Sequence, residues 1–216
     1  MKEQMQLTQR IDEIFESLKF AKMNKSRFET FIEQQTDPYI ILLAYYILSK
    51  SNEAQAYPAI LKVLQYAENP AGMTEVEEEA LAETLAPISE SDMLAKQIIS
   101  ISKAIKENFE GKVPNTKDNL LKITEIDDNT ADLTVAKCFD KTKIYVDEKI
   151  QRVFNRIGII KTNTPKETEV QLSRIIPAKY HSDINTKMQL LAKTFCAKEK
   201  PLCPFCPLNY YCDFSD

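Results

Sequence analysis

Apolar residues recur along this chain at helical spacing. Near the start, Ile11, Ile14, Phe15, Leu18 and Ala21 fall at i, i+3, i+4, i+7 and i+10, the stripe of an amphipathic helix that buries one face. Asp37-Pro38 pairs a capping side chain with a first-turn proline and opens a nearly all-apolar run to Leu48. A helix apolar on most sides must be buried, so this one is predicted to be central. Further helices are predicted over Ala54–Tyr66, Thr74–Leu85 and Asp92–Phe109, the last capped by Ser89 or Ser91. The run Glu75–Glu83 reads as a solvated face. Gly111 and Val113-Pro114 interrupt the pattern, and shorter helices are predicted over Lys117–Ile123, Asn129–Phe139, Glu148–Ile157, Glu167–Ile176 and His181–Phe195. No segment alternates with the period of two that a strand requires, so the predicted fold class is all-α.

Composition adds limits. Only three of 216 residues are glycine, which leaves few tight hairpins and agrees with helices. Apolar residues make up 44% and charged residues 28%, the balance of a globular chain rather than a disordered or collagen-like one. The longest apolar stretch, Tyr39–Leu48, is about half of the roughly 20 residues a membrane span needs. Met1-Lys2-Glu3-Gln4 leads into an amphipathic pattern containing acids, unlike a signal or transit peptide. An intracellular protein is expected, cytoplasmic and nucleoid-associated or nuclear, not secreted and not membrane-bound. Net charge is -4, which gives no support to polyanion binding by the chain as a whole. The charge is uneven, however: residues 1–110 carry 11 Lys+Arg against 18 Asp+Glu, and residues 111–216 carry 17 against 14. A polyanion contact is therefore expected in the C-terminal half.

The candidate chemistry is concentrated at the end of the chain. Cys138 stands alone, whereas Cys196, Cys203, Cys206 and Cys212 follow the spacing C-x6-C-x2-C-x5-C. Four thiolates close together in an intracellular chain read as a metal site, either tetrahedral zinc or a 4Fe-4S cluster. A single C-x2-C with wide flanking gaps suits a loop wrapped around the larger object, and Pro201, Pro204 and Pro207 stiffen that loop.

The same cysteine pattern resembles the C-terminus of the endonuclease III family of DNA glycosylases, where it holds a 4Fe-4S cluster. Val146-Asp147-Glu148-Lys149-Ile150 and Arg152-Val153-Phe154-Asn155-Arg156 are similar to that family's Val-Asp-Thr-His-Ile-x-Arg-Val-x-Asn-Arg, which carries its catalytic aspartate. Gly111-Lys112-Val113-Pro114 resembles the segment before its helix-hairpin-helix, and Asp37-Pro38 through Ser49 its central helix. The resemblance implies two all-α domains: a six-helix barrel with a degenerate helix-hairpin-helix over residues 31–141, and an iron–sulfur cluster domain built from residues 1–30 and 142–216. It also implies duplex DNA as a partner, cluster ligation by the four cysteines, and DNA contacts by Lys198, Lys200, Arg152 and Arg156; a monomer that holds DNA weakly is expected, with a protein partner as a further candidate.

The departures fall on the chemistry. Aligned without a gap, the family's Leu-Pro-Gly-Val-Gly-Arg-Lys-Thr-Ala lies on Ile123-Thr124-Glu125-Ile126-Asp127-Asp128-Asn129-Thr130-Ala131. Both glycines that let the backbone approach a phosphate are gone. Glu125, Asp127 and Asp128 stand there instead, as like charges facing DNA or as helix caps. Asn129 occupies the position of the lysine nucleophile, and an amide cannot form a Schiff base. Lys137 and Lys149 are the nearby amines in sequence. Asp147 is either a carboxylate that assists hydrolysis of the N-glycosidic bond or the N-cap of Glu148–Ile157. Tyr45, Tyr46 and Tyr57 read as core before base pocket, Ser51 falls near the family's strand-inserting glutamine, and His181 reads as structural. The expected function is a divergent base-excision glycosylase-like 4Fe-4S protein without β-lyase activity and, if active, monofunctional. The alternative is a catalytically inactive paralogue serving as an iron–sulfur structural, protein-interaction or redox-sensing module.

Overall fold

The computed structural model describes residues 2–21, 23–140 and 143–214. Among them all regular structure is helical, and no helix is long and apolar enough to cross a membrane. The chain divides into two compact units, Lys25–Asp140 and the two termini, Met1–Asn24 with Lys141–Asp216.

The Lys25–Asp140 unit holds α2 (Arg27–Gln34), α3 (Pro38–Ser49), α4 (Glu53–Val63), α5 (Pro70–Met73), α6 (Glu78–Leu85), α7 (Ser91–Asn108), α8 (Lys117–Leu120) and α9 (Asp128–Cys138). Asp37 caps α3 as its sequence predicts, its Oδ1 accepting from the N–H groups of Tyr39 at 2.8 Å and Ile40 at 3.3 Å. Leu42, Leu43, Ala44, Tyr46 and Ile47 are wholly buried, and α3 packs on α4 and α9. The two phenols on α3 keep partners in the core: Tyr46 donates to Gln97 Oε1 at 2.8 Å, and Tyr39 pairs with Ser102 Oγ at 2.7 Å. Burial pushes both phenols well above their ordinary pKa.

Three predicted helices differ here. Of the helix predicted over Thr74–Leu85 only Glu78–Leu85, α6, is helical; α5, capped by Asn69, ends at Met73, and Thr74–Glu77 turns the chain between the two. Helix α7 is capped by neither serine. Ser91 is its first residue, and Glu90 precedes it in the left-handed region at φ 58° without a side-chain cap. The helix predicted over Lys117–Ile123 is the single turn α8; Ile123, three residues after Leu120, is buried from the connecting turn, so its spacing imitates a longer helix.

The terminal unit holds α1 (Lys2–Phe20), α10 (Glu148–Ile157), α11 (Pro165–Ile175), α12 (His181–Asp183) and α13 (Gln189–Thr194). Its core joins Ile11, Ile14, Phe15 and Leu18 to Ile150, Val153, Phe154 and Ile157, with Leu172, Ile184 and Met188. Helix α1 ends before Ala21. The Phe15 and Tyr180 rings stack at 4.4 Å, and Tyr180 donates its hydroxyl to Asp12 Oδ1 at 2.6 Å. The helix predicted over His181–Phe195 passes through a π-helical stretch, Ile184–Met188, between α12 and α13. His181 is buried with Nε2 2.9 Å from the Ile176 carbonyl oxygen, a structural histidine.

Helix α10 stops at Gly158, whose φ of 84° admits a side chain only under strain; a Cβ there would also fall on the Asp213 carboxylate. Gly158→Ala is expected to destabilise the protein by about 1–2 kcal/mol through the left-handed backbone, with a further loss where Asp213 is displaced from Arg10. Glu90→Gly, at a position with the same conformation and no cap to lose, is expected to be neutral or to stabilise by up to about 1 kcal/mol. Denaturant unfolding followed by circular dichroism checks both signs.

Candidate functional site

The four clustered cysteines line one cavity in the terminal unit, closed by Val153, Ile157, Leu191, Phe195 and Leu208 and bordered by Arg156 and Phe214. The loop holding the cysteines has little regular structure. Two 3₁₀ turns, Cys203–Phe205 and Asn209–Tyr211, set three of the four thiols, and backbone bonds such as Leu202 N–H to Phe195 O at 2.7 Å close the intervening chain. Burial is the main cause raising the Cys206 and Cys212 thiols, and the neighbouring thiols add to it. Among the described residues, no three His, Cys, Asp or Glu side chains are grouped tightly enough to hold one metal ion. A single tetrahedral zinc would need its thiolates about 3.8 Å apart, from a Zn–S bond of about 2.3 Å. Four soft thiol donors around one apolar cavity are the donor set of a thiolate-held cluster.

Helix α10 holds this loop through two arginines one turn apart. Arg152 Nε donates to the Cys196 carbonyl at 3.0 Å. Arg156 reaches further, donating from Nη1 to Ala197 O at 2.7 Å and from Nη2 to Lys198 O at 2.8 Å. These guanidinium donors are directed at the loop, so the side chains the sequence offers as DNA ligands divide into two that shape it and two, Lys198 and Lys200, that are exposed on it. Arg10 of α1 is a partner that sequence reading missed. Its Nη2 donates to Ile157 O, Tyr211 O and Asp213 Oδ1, each at 2.7 Å, fastening the chain end to α10. Separations of 147 to 203 residues leave no local signal for that contact.

Asp147 caps α10. Its Oδ1 accepts from the N–H groups of Lys149 and Ile150, both at 2.9 Å, and its Oδ2 lies 3.9 Å from the Lys149 ammonium. The side chain is 24% exposed, so the carboxylate is neither sealed in the core nor free in solvent.

Asn129 belongs to the other compact unit, in the first turn of α9 and exposed. Each of the three hairpin acids has a partner inside that unit. Glu125 accepts from Ser100 Oγ at 2.6 Å, Asp127 caps α9 by accepting from Thr130 N–H at 2.7 Å, and Asp128 lies 2.6 Å from the Lys117 ammonium. Lys117 also reaches Asp132 at 2.8 Å. Sequence reasoning weighed Lys137 and Lys149 as amines and missed Lys117, the lysine that meets the start of α9. Burial opposes its charge, yet hydrogen bonds to Asp128 and Asp132 outweigh that and raise its pKa. An ammonium held between two carboxylates is not a nucleophile. Lys137 donates to the Glu33 carbonyl at 3.2 Å.

The remaining candidates are structural. Tyr46 is core, Tyr57 stands edge-on to Phe31 at 6.1 Å, and Ser51 donates to Ile47 O at 2.7 Å. Burial pushes the Cys138 thiol up to about 12, where it is unreactive at neutral pH.

Comparison with known proteins places this geometry. An endonuclease III from Thermotoga maritima is 28% identical over 181 residues, 84% of this chain and 85% of that protein. A solved endonuclease III trapped as a covalent intermediate with DNA superposes with a TM-score of 0.77 at 23% identity, covering 98% of this chain and 96% of the other. A thermostable thymine-DNA glycosylase superposes with a TM-score of 0.79 at 18% identity, covering 99% and 96%. The all-α architecture is therefore that of endonuclease III. The family model for HhH-GPD superfamily base excision DNA repair proteins matches residues 45–178, more than half of the chain, and the protein belongs to that superfamily.

Proposed function

We propose that this protein is a monofunctional DNA N-glycosylase that releases an extruded base by hydrolysis, without cutting the strand, and that Cys196, Cys203, Cys206 and Cys212 carry a 4Fe-4S cluster. The observation that carries the reading is the division of labour within Asp147. Oδ1 holds the two N–H groups of the cap, which fixes the carboxylate, while Oδ2 takes no part in the cap. A fixed negative oxygen opposite C1′ stabilises the oxocarbenium-like charge that develops as the glycosidic bond breaks. The reading of no strand-cleavage step is supported by the amide at Asn129 and by the carboxylates that hold Lys117, and Lys149 beside Asp147, as ammonium groups. The cluster would give the loop a rigid centre, and the four soft donors around the apolar cavity fit it.

A second reading has its own support: Asp147 persists only as a cap. The hairpin acids, each with a partner inside its unit, then need no role toward DNA, and the protein is an inactive paralogue with an iron–sulfur structural, protein-contact or redox-sensing role. Asp147→Asn separates the two, since Asn caps nearly as well as Asp and carries no charge. In the glycosylase reading it leaves the unfolding midpoint within experimental error and abolishes base release from a lesion panel. Asp147→Ala costs about 0.5–2 kcal/mol in either reading. A wild type that releases no base from the panel defeats the first reading.

Two further outcomes are expected. Anaerobically purified protein is brown and contains about four irons and four sulfides per chain, borohydride traps no covalent DNA adduct, and Cys138→Ala changes neither result. Stoichiometric zinc without sulfide would refute the cluster. Binding to undamaged duplex is weak and salt-dependent, and Lys198→Ala with Lys200→Ala flattens the slope of log K against log salt by about 1.8, two phosphate contacts at about 0.9 each.

A further inference from the structure

Arg156 does more than brace the loop. Its Nη1 also points at the Cys196 sulfur, 3.4 Å away. Its backbone carbonyl oxygen lies 3.3 Å from the Cys212 sulfur and accepts from Phe214 N–H at 3.0 Å. One residue thus touches the first and the last cysteine of the motif. The Phe214 ring lies with its centroid 4.4 Å from the guanidinium carbon. Apart from the thiols, the cavity lining is apolar except for Asn209 and Arg156, so this guanidinium is the one formal charge among the lining residues.

We propose that Arg156 is the positioning residue that raises the reduction potential of the cluster and keeps it from solvent, an inference that rests on the 4Fe-4S reading above. Reduction adds one negative charge to a group that already carries thiolate charge. A fixed cation at the Cys196 sulfur stabilises the reduced form more than the oxidised one, and the low-dielectric walls strengthen the effect. The N–H···S contact acts in the same direction by drawing electron density from the ligand. Arg152 supplies an internal comparison: it braces the same loop through the Cys196 carbonyl, with its Nε on oxygen rather than sulfur. If bracing alone mattered, the two arginines would be equivalent.

The test uses the full chain, purified anaerobically as wild type, Arg156→Gln, Arg156→Lys, Arg152→Gln and Phe214→Leu. The readouts are iron and sulfide content, reduction potential by direct electrochemistry, and the rate of loss of the cluster's visible absorbance in air. Arg156→Gln is expected to shift the one-electron equilibrium toward the oxidised form by about tenfold, a fall of about 59 mV. Arg156→Lys keeps the charge but not the fork over the Ala197 and Lys198 carbonyls. It therefore stays nearer the wild-type potential and loses its cluster about threefold faster. Phe214→Leu moves the potential down by less than Arg156→Gln, and Arg152→Gln leaves it unchanged. An Arg156→Gln potential equal to wild type overturns the proposal, as does an equal fall in Arg152→Gln. If Arg156→Gln loads no iron, a Phe214→Leu potential equal to wild type overturns it instead. A wild type without iron and sulfide defeats the cluster reading itself, a result independent of every variant.

Discussion

Helix α10 must satisfy two surfaces at once, and the terminal unit depends on its doing so. One face, Ile150, Val153, Phe154 and Ile157, is buried in the core shared with α1. Another, Arg152 and Arg156, lies one turn apart and grips the loop that starts at Cys196. A shift of one residue turns a helix by about 100°, which would take the apolar stripe out of the core and the guanidinium groups away from the carbonyls together. Both ends are therefore fixed: Asp147 sets where the helix begins, Gly158 sets where it stops, and Arg10 ties the stop to the chain terminus. The cysteine loop has only two 3₁₀ turns of its own, so its shape is inherited from this helix.

The segment between α8 and α9 rests on side chains rather than on a glycine-permitted backbone. Glycines there would let backbone N–H groups face a phosphate. Here the same stretch is held by side chains: Ser100 to Glu125, Asp127 to the start of α9, and Lys117 across to Asp128 and Asp132. A cap is worth about 1 kcal/mol, so the acid at position 127 has a folding role of its own. The acids that look repulsive in the sequence are, in the structure, internal partners of the unit that carries them.

Legibility in the sequence follows the range of the interaction. The caps at Asp37 and Asp147 can be read because capping links residues two or three apart, and the core stripe of α1 because it is periodic. The cysteine spacing points to a shared site, and the four side chains do line one cavity. What could not be read is long-range or backbone-specific. Arg10 to Asp213 and Arg156 to Cys196 join distant segments. Glu90 adopts a left-handed conformation that nothing in its neighbours announces, and the π-helical stretch at Ile184–Met188 lies inside an apparently regular helical pattern. Ile123, three residues after Leu120, misleads for a related reason: burial at helical spacing arises from turns as well as from helices.

Asp147 shows why cap and catalyst are not competing identities. A carboxylate has two oxygens and about four lone-pair sites. Capping takes two N–H groups on Oδ1, and the distances to Lys149 and Ile150 are equal. A side chain so held has lost its rotamer freedom on folding, so Oδ2 is fixed in place by the same two bonds. The cap thus supplies the preorganisation that a catalytic carboxylate needs. It also explains how such a residue can outlast its chemistry, because the fold retains it for the helix start alone. The helix start that Oδ1 secures and the charge that Oδ2 carries are therefore separable properties of one side chain.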